Sequence, residues 1–586
     1  MSPLKKNAPR LTRVVGALAE ATGMREAKLN ELVRIGDSGL LAEVLRITGD
    51  RATLQVFEET MGVALEEPLT REGLPLAVEL GPGLLGSVID GIGRPLTELA
   101  VRSGDFLLPG ADAPTIDRAR RFAFTPTISE GATIGPGDVV GTVVERGAFE
   151  HRILVPPDRQ GVIAKLFAGE RTVEEPIAEL TDGSTLFLTH RWPVRRPRPI
   201  AARLDASRPF LTGQRVFDFL FPIAEGGTVA VPGGFGTGKT VIEQSLAKYA
   251  EADVVVYIGC GERGNEMAEV LHEFGRLKDP RTGRAVLDRT VLVVNTSNMP
   301  VAARESSIYL GLTIAEYFRD QGYRAAVMAD SLSRWAEALR EIGSRLQEMP
   351  GEEGYPTYLA SRAAKLHERA GRVRCLGAGN REGSVTLISA VSPPGGDFSE
   401  PVTQACLRVA GALWALDPAL AHQRQFPAVD WHTSYSLYSE AMGAAFDASC
   451  DPGWSKARAT IVELLQRDGE LREVASVVGP EALEDPDRLL LQASAIIREI
   501  VLGQSAYDVN DAYSPPAKTY RLARVSLELF EAGKAALKKG ATYGELDLSG
   551  ARRALAMMRD APAVDFEARA NDVTARITGL WRGASS

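Results

Sequence analysis

One stretch of this 586-residue chain restricts its fold more than any other: Gly233-Gly-Phe-Gly-Thr-Gly238-Lys239-Thr240, which fits G-x-x-x-x-G-K-[ST] in full. A short apolar run at 228–231 precedes it, and residues 241–250 follow with a helical pattern. Glycines let the backbone wrap closely, so that successive N–H groups point at phosphate oxygens. The helix N-terminus behind them adds partial positive charge. In such a loop Lys239 is expected to reach the β- and γ-phosphates and the Thr240 hydroxyl to hold Mg²⁺. A chance match in a glycine-rich loop is the alternative, and it leaves the strand before and the helix after unexplained.

Phosphate binding alone cleaves nothing, so a positioned water and a second acid are needed. Val254-Val-Val-Tyr-Ile-Gly-Cys-Gly-Glu262-Arg263 reads as a strand running into a glycine-rich turn that carries a carboxylate and a guanidinium. In an open parallel sheet, functional groups gather at the carboxyl ends of strands. Glu262 is a candidate to orient the attacking water, and Arg263 to meet developing charge or to hold Glu262. The spacing alone also admits, as the lesser alternative, a solvated ion pair on a surface turn. Arg324-Ala-Ala-Val-Met-Ala-Asp330 is an apolar strand ending in an acid, where Asp330 would hold Mg²⁺ directly or through water. Many strands end in Asp merely to turn, so this signal draws its weight from the phosphate loop.

The rest of the chain frames these motifs. Apolar runs at 228–231, 254–258, 291–294, 325–329 and 385–390 alternate with helical patterns, as in a parallel sheet covered on both faces. Residues 1–75 mix short β-rich runs such as 41–47 and 52–57, with Gly49-Asp50 as a turn between them. A second β-rich module, with runs at 139–144, 151–155 and 161–164, ends in Trp192-Pro-Val-Arg-Arg-Pro-Arg-Pro199, whose prolines forbid a helix interior. From about 436 onward strand signals fade, and 488–502 and 520–537 show helical spacing.

Composition excludes several classes. The net charge of -9 argues against a protein devoted to a nucleic-acid backbone. Cys260, Cys375, Cys406 and Cys450 form no CxxC pair and read as reduced thiols in the cytoplasm. Lys5, Lys6 and Arg10 precede an apolar stretch, 14–19, too short for a signal peptide, and no run of ~18 apolar residues spans a bilayer. The few histidines form no metal pair.

These residues together resemble the catalytic A-type subunits of archaeal and vacuolar-type rotary ATPases, over nearly the whole chain. The similarity is carried by Leu211-Thr-Gly-Gln-Arg-Val-Phe-Asp218, Gly259-Cys-Gly-Glu-Arg-Gly-Asn-Glu266, Asn295-Thr-Ser-Asn-Met-Pro300, Asp330-Ser-Leu-Ser-Arg-Trp-Ala-Glu337, residues 389–401 and residues 479–488. The resemblance implies an N-terminal β-barrel (1–75), an α/β P-loop, RecA-like nucleotide domain with a parallel sheet (76–112 and 189–435), an inserted β-rich bulge (113–188) and a C-terminal helical domain (436–586). The bulge is the part that noncatalytic and export-type relatives lack. The resemblance implies ATP/ADP and Mg²⁺ as cofactors, with Gly233, Gly234, Phe235, Gly236, Thr237, Gly238, Lys239, Thr240 and Val241 around the phosphates. It makes Lys239, Glu262 and Arg263 catalytic and gives Thr240 and Asp330 to the metal. Phe426, in Gln425-Phe-Pro-Ala-Val429, becomes the aromatic against adenine and Tyr507 a second one, although aromatics pack cores by default. It implies a ring alternating with noncatalytic B-type subunits that supply an arginine finger, a central shaft, peripheral stalks and a membrane sector reached indirectly. The chain would sit peripherally on the cytoplasmic face, coupling ATP hydrolysis or synthesis to H⁺ or Na⁺ transport, with no nucleic acid involved. A noncatalytic subunit would have lost Lys239 or Glu262, and an RNA translocase would be basic.

Overall fold

The computed structural model describes residues 8–104, 108–146, 148–234 and 236–580. Residues 1–7, 581–586 and Phe235, which enter the expectations above, lie outside the described residues. The chain gathers into two compact units. The first takes the chain up to Asp205 together with Ala252–Pro393 and Asp397–Val409, and the second takes Ala206–Glu251, Pro394–Gly396 and the chain from Ala410 onward.

The first unit opens with six strands: β1 (Arg10–Val15), β2 (Leu18–Thr22), β3 (Glu31–Ile35), β4 (Leu40–Thr48), β5 (Arg51–Val56) and β6 (Leu69–Pro75). They pair in the order β1-β2-β5-β4-β3-β6, and an antiparallel bridge between Arg10 and Pro68 joins the two edges. Closure removes the open edges that invite aggregation. Period-two alternation turns Leu11, Val33, Ile35, Val44, Leu54 and Val56 inward, all 1% exposed or less. Each such side chain contributes roughly 1.5–3 kcal/mol by leaving water. The turn read at Gly49-Asp50 is the β4–β5 hairpin.

The inserted module is two four-stranded sheets. Its buried His151 takes Glu145 at 2.7 Å on Nδ1 and the Tyr317 hydroxyl at 2.6 Å on Nε2. Tyr317 belongs to Val301–Asp320, a helix buried on almost every side, its charged Glu305, Glu316, Arg319 and Asp320 included, so that these charges need partners. The proline-rich connector is less passive than its composition suggests. His190–Pro193 pairs antiparallel with Ala77–Leu80. Beyond it, the Arg198 Nε meets Asp320 at 2.6 Å, and Arg195 pairs with Glu43 at 2.7 Å and with Glu305. Burial and the nearby Arg198 hold His190 well below the ordinary histidine range.

Five parallel strands of this unit lie in the order Val88–Ile89, Thr290–Thr296, Val254–Glu262, Arg324–Asp330, Glu382–Val391. From Val254–Glu262 the chain steps to one side through the helix Gly264–Arg276, and then Val301–Asp320 carries it back to the other side. The topological switch therefore falls between Val254–Glu262 and Arg324–Asp330, where α/β sheets open their ligand crevices.

In the second unit, the strand Thr228–Pro232 pairs in parallel with Ala412–Leu413. The helices Ser439–Ser449, Trp454–Val478, Asp485–Ile497, Pro516–Lys538, Leu548–Arg559 and Phe566–Leu580 complete it. Trp454, fully buried, stacks on Phe446 at 4.3 Å and meets Phe219 edge-on at 5.1 Å. Among the described residues no helix is long and apolar enough to cross a membrane.

Candidate functional site: a phosphate loop, a base pocket and a carboxylate pair

The phosphate loop belongs to the second unit. Its helix is Lys239–Tyr249, beginning two residues earlier than the sequence pattern suggests, so Lys239 and Thr240 stand in the first turn. That turn holds no acid, and no side chain caps it, which leaves its N–H groups and the positive end of the helix dipole to an anion. The cap position is Gly238, left-handed at φ 85°. A Cβ there would lie 2.7 Å from the Phe426 ring, so only glycine fits on both counts. Thr237 is buried and donates to the Gly234 carbonyl at 2.9 Å, bracing the loop from inside. The Lys239 ammonium lies over its own loop, 3.2 Å from the Gly234 carbonyl oxygen. Thr240 is exposed and Val241 is half-buried.

Beside the loop is a cavity of about 670 Å³ lined by Val241, Phe426, Arg498, Gln504, Tyr507 and Arg559 among others. Phe426 is half-buried and precedes a cis Pro427. Tyr507 is 92% exposed, at the rim. A buried knot holds the rim in place. The Arg215 guanidinium, fully buried, meets Asp511 at 2.6 Å, and Gln504 accepts from the Arg215 N–H at 2.7 Å and donates to the Gly213 carbonyl at 2.9 Å. The sequence offers no sign of this knot, because its partners lie almost three hundred residues apart.

The carboxylates belong to the first unit. Gly259 stands in register with Asp330 on the neighbouring strand, so the two strands finish side by side. Between Cys260 and Glu262 the register against Thr290–Thr296 shifts by a bulge, a device that re-aims a side chain at a strand end. Gly261 makes the bulge possible: its φ is 72°, and a Cβ there would lie 2.8 Å from the Arg334 side chain. Asp330 is buried, with the Tyr257 hydroxyl 3.4 Å from its Oδ2. Burial, the Asp330 charge and a hydrogen bond with Glu266 push the Glu262 carboxyl up to about 8, against the pull of Arg334. Arg334 sits in the first turn of Leu332–Arg345 and pairs with Glu337 at 3.0 Å. Arg263 is 66% exposed and reaches Glu266 at 4.0 Å. Sequence reasoning gave no role to Glu266, Arg334 or Tyr257. The signal for Glu266 and Arg334 was their place four residues beyond Glu262 and Asp330.

A raised carboxyl pKa carries a stability consequence. The folded chain keeps the Glu262 proton between the ordinary 4.5 and about 8, where the unfolded chain has released it. Stability therefore falls as pH rises through that window. Glu262→Gln is expected to raise the thermal unfolding midpoint above pH 8, with the gain shrinking to nothing near pH 4.5, as scanning calorimetry across pH would register.

A loop of this spelling between strand and helix, a cavity beside it, and acids ending parallel strands at a switch point define a P-loop nucleotide-binding protein of the RecA-like class. Family models carry the assignment further. The ATP synthase alpha/beta family nucleotide-binding domain matches residues 213–436, its beta-barrel domain 11–73, its barrel-sandwich domain 113–195, and the C-terminal domain of V and A type ATP synthase 444–545. The chain is 56% identical over 560 residues to the V-type ATP synthase alpha chain of Anaeromyxobacter dehalogenans, covering 96% of each. It is 47% identical over 583 residues to the V-type ATP synthase alpha chain of Thermoanaerobacter pseudethanolicus, covering 98% of this chain and 99% of that one. The assembled ATPase EscN of the enteropathogenic E. coli type III secretion system, at TM-score 0.62 and 24% identity over 89% of this chain and 100% of that one, shares the fold. The chain belongs to the ATP synthase alpha/beta family, in its V- and A-type branch.

Proposed function

We propose that this chain is the catalytic subunit of a V/A-type rotary ATPase head, and that its phosphate loop and carboxylate pair act on one Mg-nucleotide. The observation that carries this is that one chain has both an intact Gly-Lys-Thr loop and, at the switch point of a sheet, a half-buried Glu262 whose carboxyl is pushed up to about 8, which a subunit that only binds nucleotide would not need. On this reading the chain divides as 1–75, 113–188, 76–112 with 189–435, and 436–586. Gly233, Gly234, Phe235, Gly236, Thr237, Gly238 and Val241 surround the phosphates, and Lys239 meets the β- and γ-oxygens. Glu262 takes a proton from the attacking water, with Arg263 beside it. Thr240 and Asp330 offer the hard oxygen donors Mg²⁺ prefers. Mg²⁺ there would take most of its ligands from phosphate and water. Bound there, Mg²⁺ would neutralise charge on the phosphate oxygens.

The family implies a multisubunit complex. We assign the role of arginine-supplying neighbour to a noncatalytic B-type subunit, with a central shaft, peripheral stalks and a membrane sector that moves H⁺ or Na⁺. The chain would sit at the cytoplasmic face, and nucleotide binding would draw the helical domain inward against the shaft. The test is MgATP turnover by the chain assembled with its noncatalytic partner and shaft, where absence of turnover overturns the assignment.

Phe426 and Tyr507 form the base side. Phe426→Ala is expected to raise the KM for MgATP about tenfold with kcat little changed, since stacking on an aromatic is worth ~1–3 kcal/mol per base. An unchanged KM in steady-state kinetics would return Phe426 to plain packing.

A further inference from the structure

The helix Trp454–Val478 carries one buried acid, Asp468, 1% exposed. A buried carboxylate needs a partner, and the Arg498 guanidinium supplies it, making a short contact to Asp468 Oδ2. The Arg472 Nε reaches the same oxygen at 3.0 Å from a side chain 55% exposed. Arg498 is 11% exposed, and its guanidinium carbon lies 5.8 Å from the Trp431 ring centroid. The same Arg498 lines the cavity that holds Phe426 and Tyr507. One side chain is therefore both a wall of the base pocket and the anchor of a long helix. At about 1.5 Å per residue, Asp468 stands ~15 Å from Val478, where Val474, Val477 and Val478 expose apolar surface.

We propose that Arg498, fixed by Asp468, is a positioning residue for the base end of the nucleotide and the strut by which the helix Trp454–Val478 registers that the pocket is filled. This rests on the nucleotide reading of the cavity. A guanidinium locked by a buried carboxylate keeps one orientation, and a ligand pressing on it moves charge and carboxylate together, because separating them in a dry site is costly. The apolar end of the helix follows as a rigid extension.

The test uses the full chain and MgATP, with affinity from calorimetric titration and hydrogen exchange measured with and without nucleotide. In the wild type, MgATP should slow exchange both in Lys239–Tyr249 and in Trp454–Val478. Asp468→Asn should weaken MgATP binding on the order of tenfold, within the range of ordinary site–site couplings. At saturating MgATP it should keep the protection of Lys239–Tyr249 while losing that of Trp454–Val478. Arg498→Gln, which leaves Asp468 to Arg472, should do the same if the first variant folds poorly, and Arg498→Lys should restore part of the effect. Wild-type protection of Trp454–Val478 in Asp468→Asn and Arg498→Gln overturns the strut alone. A wild-type chain that gains no protection anywhere with MgATP overturns the nucleotide site and the strut with it.

Discussion

Purified alone, the chain should hydrolyse MgATP at least ~10³-fold more slowly than when assembled with its noncatalytic neighbour. The reason lies in where its own cations are. Phosphoryl transfer spreads negative charge over the equatorial oxygens, and an arginine finger meets it there at a gain of ~10³–10⁵ in rate. Around the carboxylates, Arg334 is committed to Glu337 at 3.0 Å, and Arg263 is 66% exposed on a helix start. Neither is packed into the water-excluded geometry that makes a guanidinium effective in a transition state. The missing charge is assigned to another chain. Turnover per site, measured for the isolated chain and for the assembled head at the same MgATP concentration, decides it. Equal rates would mean that the site is complete within one chain.

Glu262→Gln in the assembled head should cut MgATP turnover by ~100-fold or more, the scale expected when a general base is lost. Nucleotide affinity should hold within a few-fold. Glutamine preserves the size of the side chain at the bulged strand end, so the close fit of Gly261 against Arg334 survives. What disappears is the ability to accept a proton. With the carboxyl pushed up to about 8, Glu262 is a better proton acceptor than an ordinary glutamate, though less of it is ionised at neutral pH. The wild-type rate is therefore expected to climb with pH toward that value and the variant's to stay flat. If the variant turns over like the wild type while binding MgATP, another carboxylate does the work, and Glu266 is the first to test.

Much of this is legible in the residues alone. The phosphate loop announces itself because close backbone approach to phosphate demands glycine at fixed spacing, and Asp330 follows because a buried parallel strand reads as an unbroken apolar run. The alternation of apolar runs and helical patterns disclosed the sheet, and the N-terminal β-rich runs became the closed barrel. Arg195 and Arg198 show what was hidden. In the sequence they are charges in a proline-rich connector, while in the fold they are held by Glu43, Glu305 and Asp320, partners more than a hundred residues away. The same distance concealed the Arg215, Gln504 and Asp511 knot. Long-range ion pairs leave no periodicity to read, since a charge run looks the same solvated or buried. The strand to Glu262 also ran longer than its apolar stretch, because the bulge admits small and polar residues beyond the last valine.

The contact between Gly238 and Phe426 has an evolutionary edge. The volume a methyl group would fill at Gly238 is already occupied by the aromatic ring, 2.7 Å from where that methyl would stand. The two letters form a single steric unit despite their separation along the chain. The loop is thus guarded from drift twice over, by the left-handed backbone that Gly238 adopts and by the neighbouring ring. A lineage that enlarged or moved this ring would have to do so inside the room that the loop leaves. Tolerance to change at one position is conditional on the occupant of the other, and substitutions at the two should appear in families as paired events rather than as independent ones.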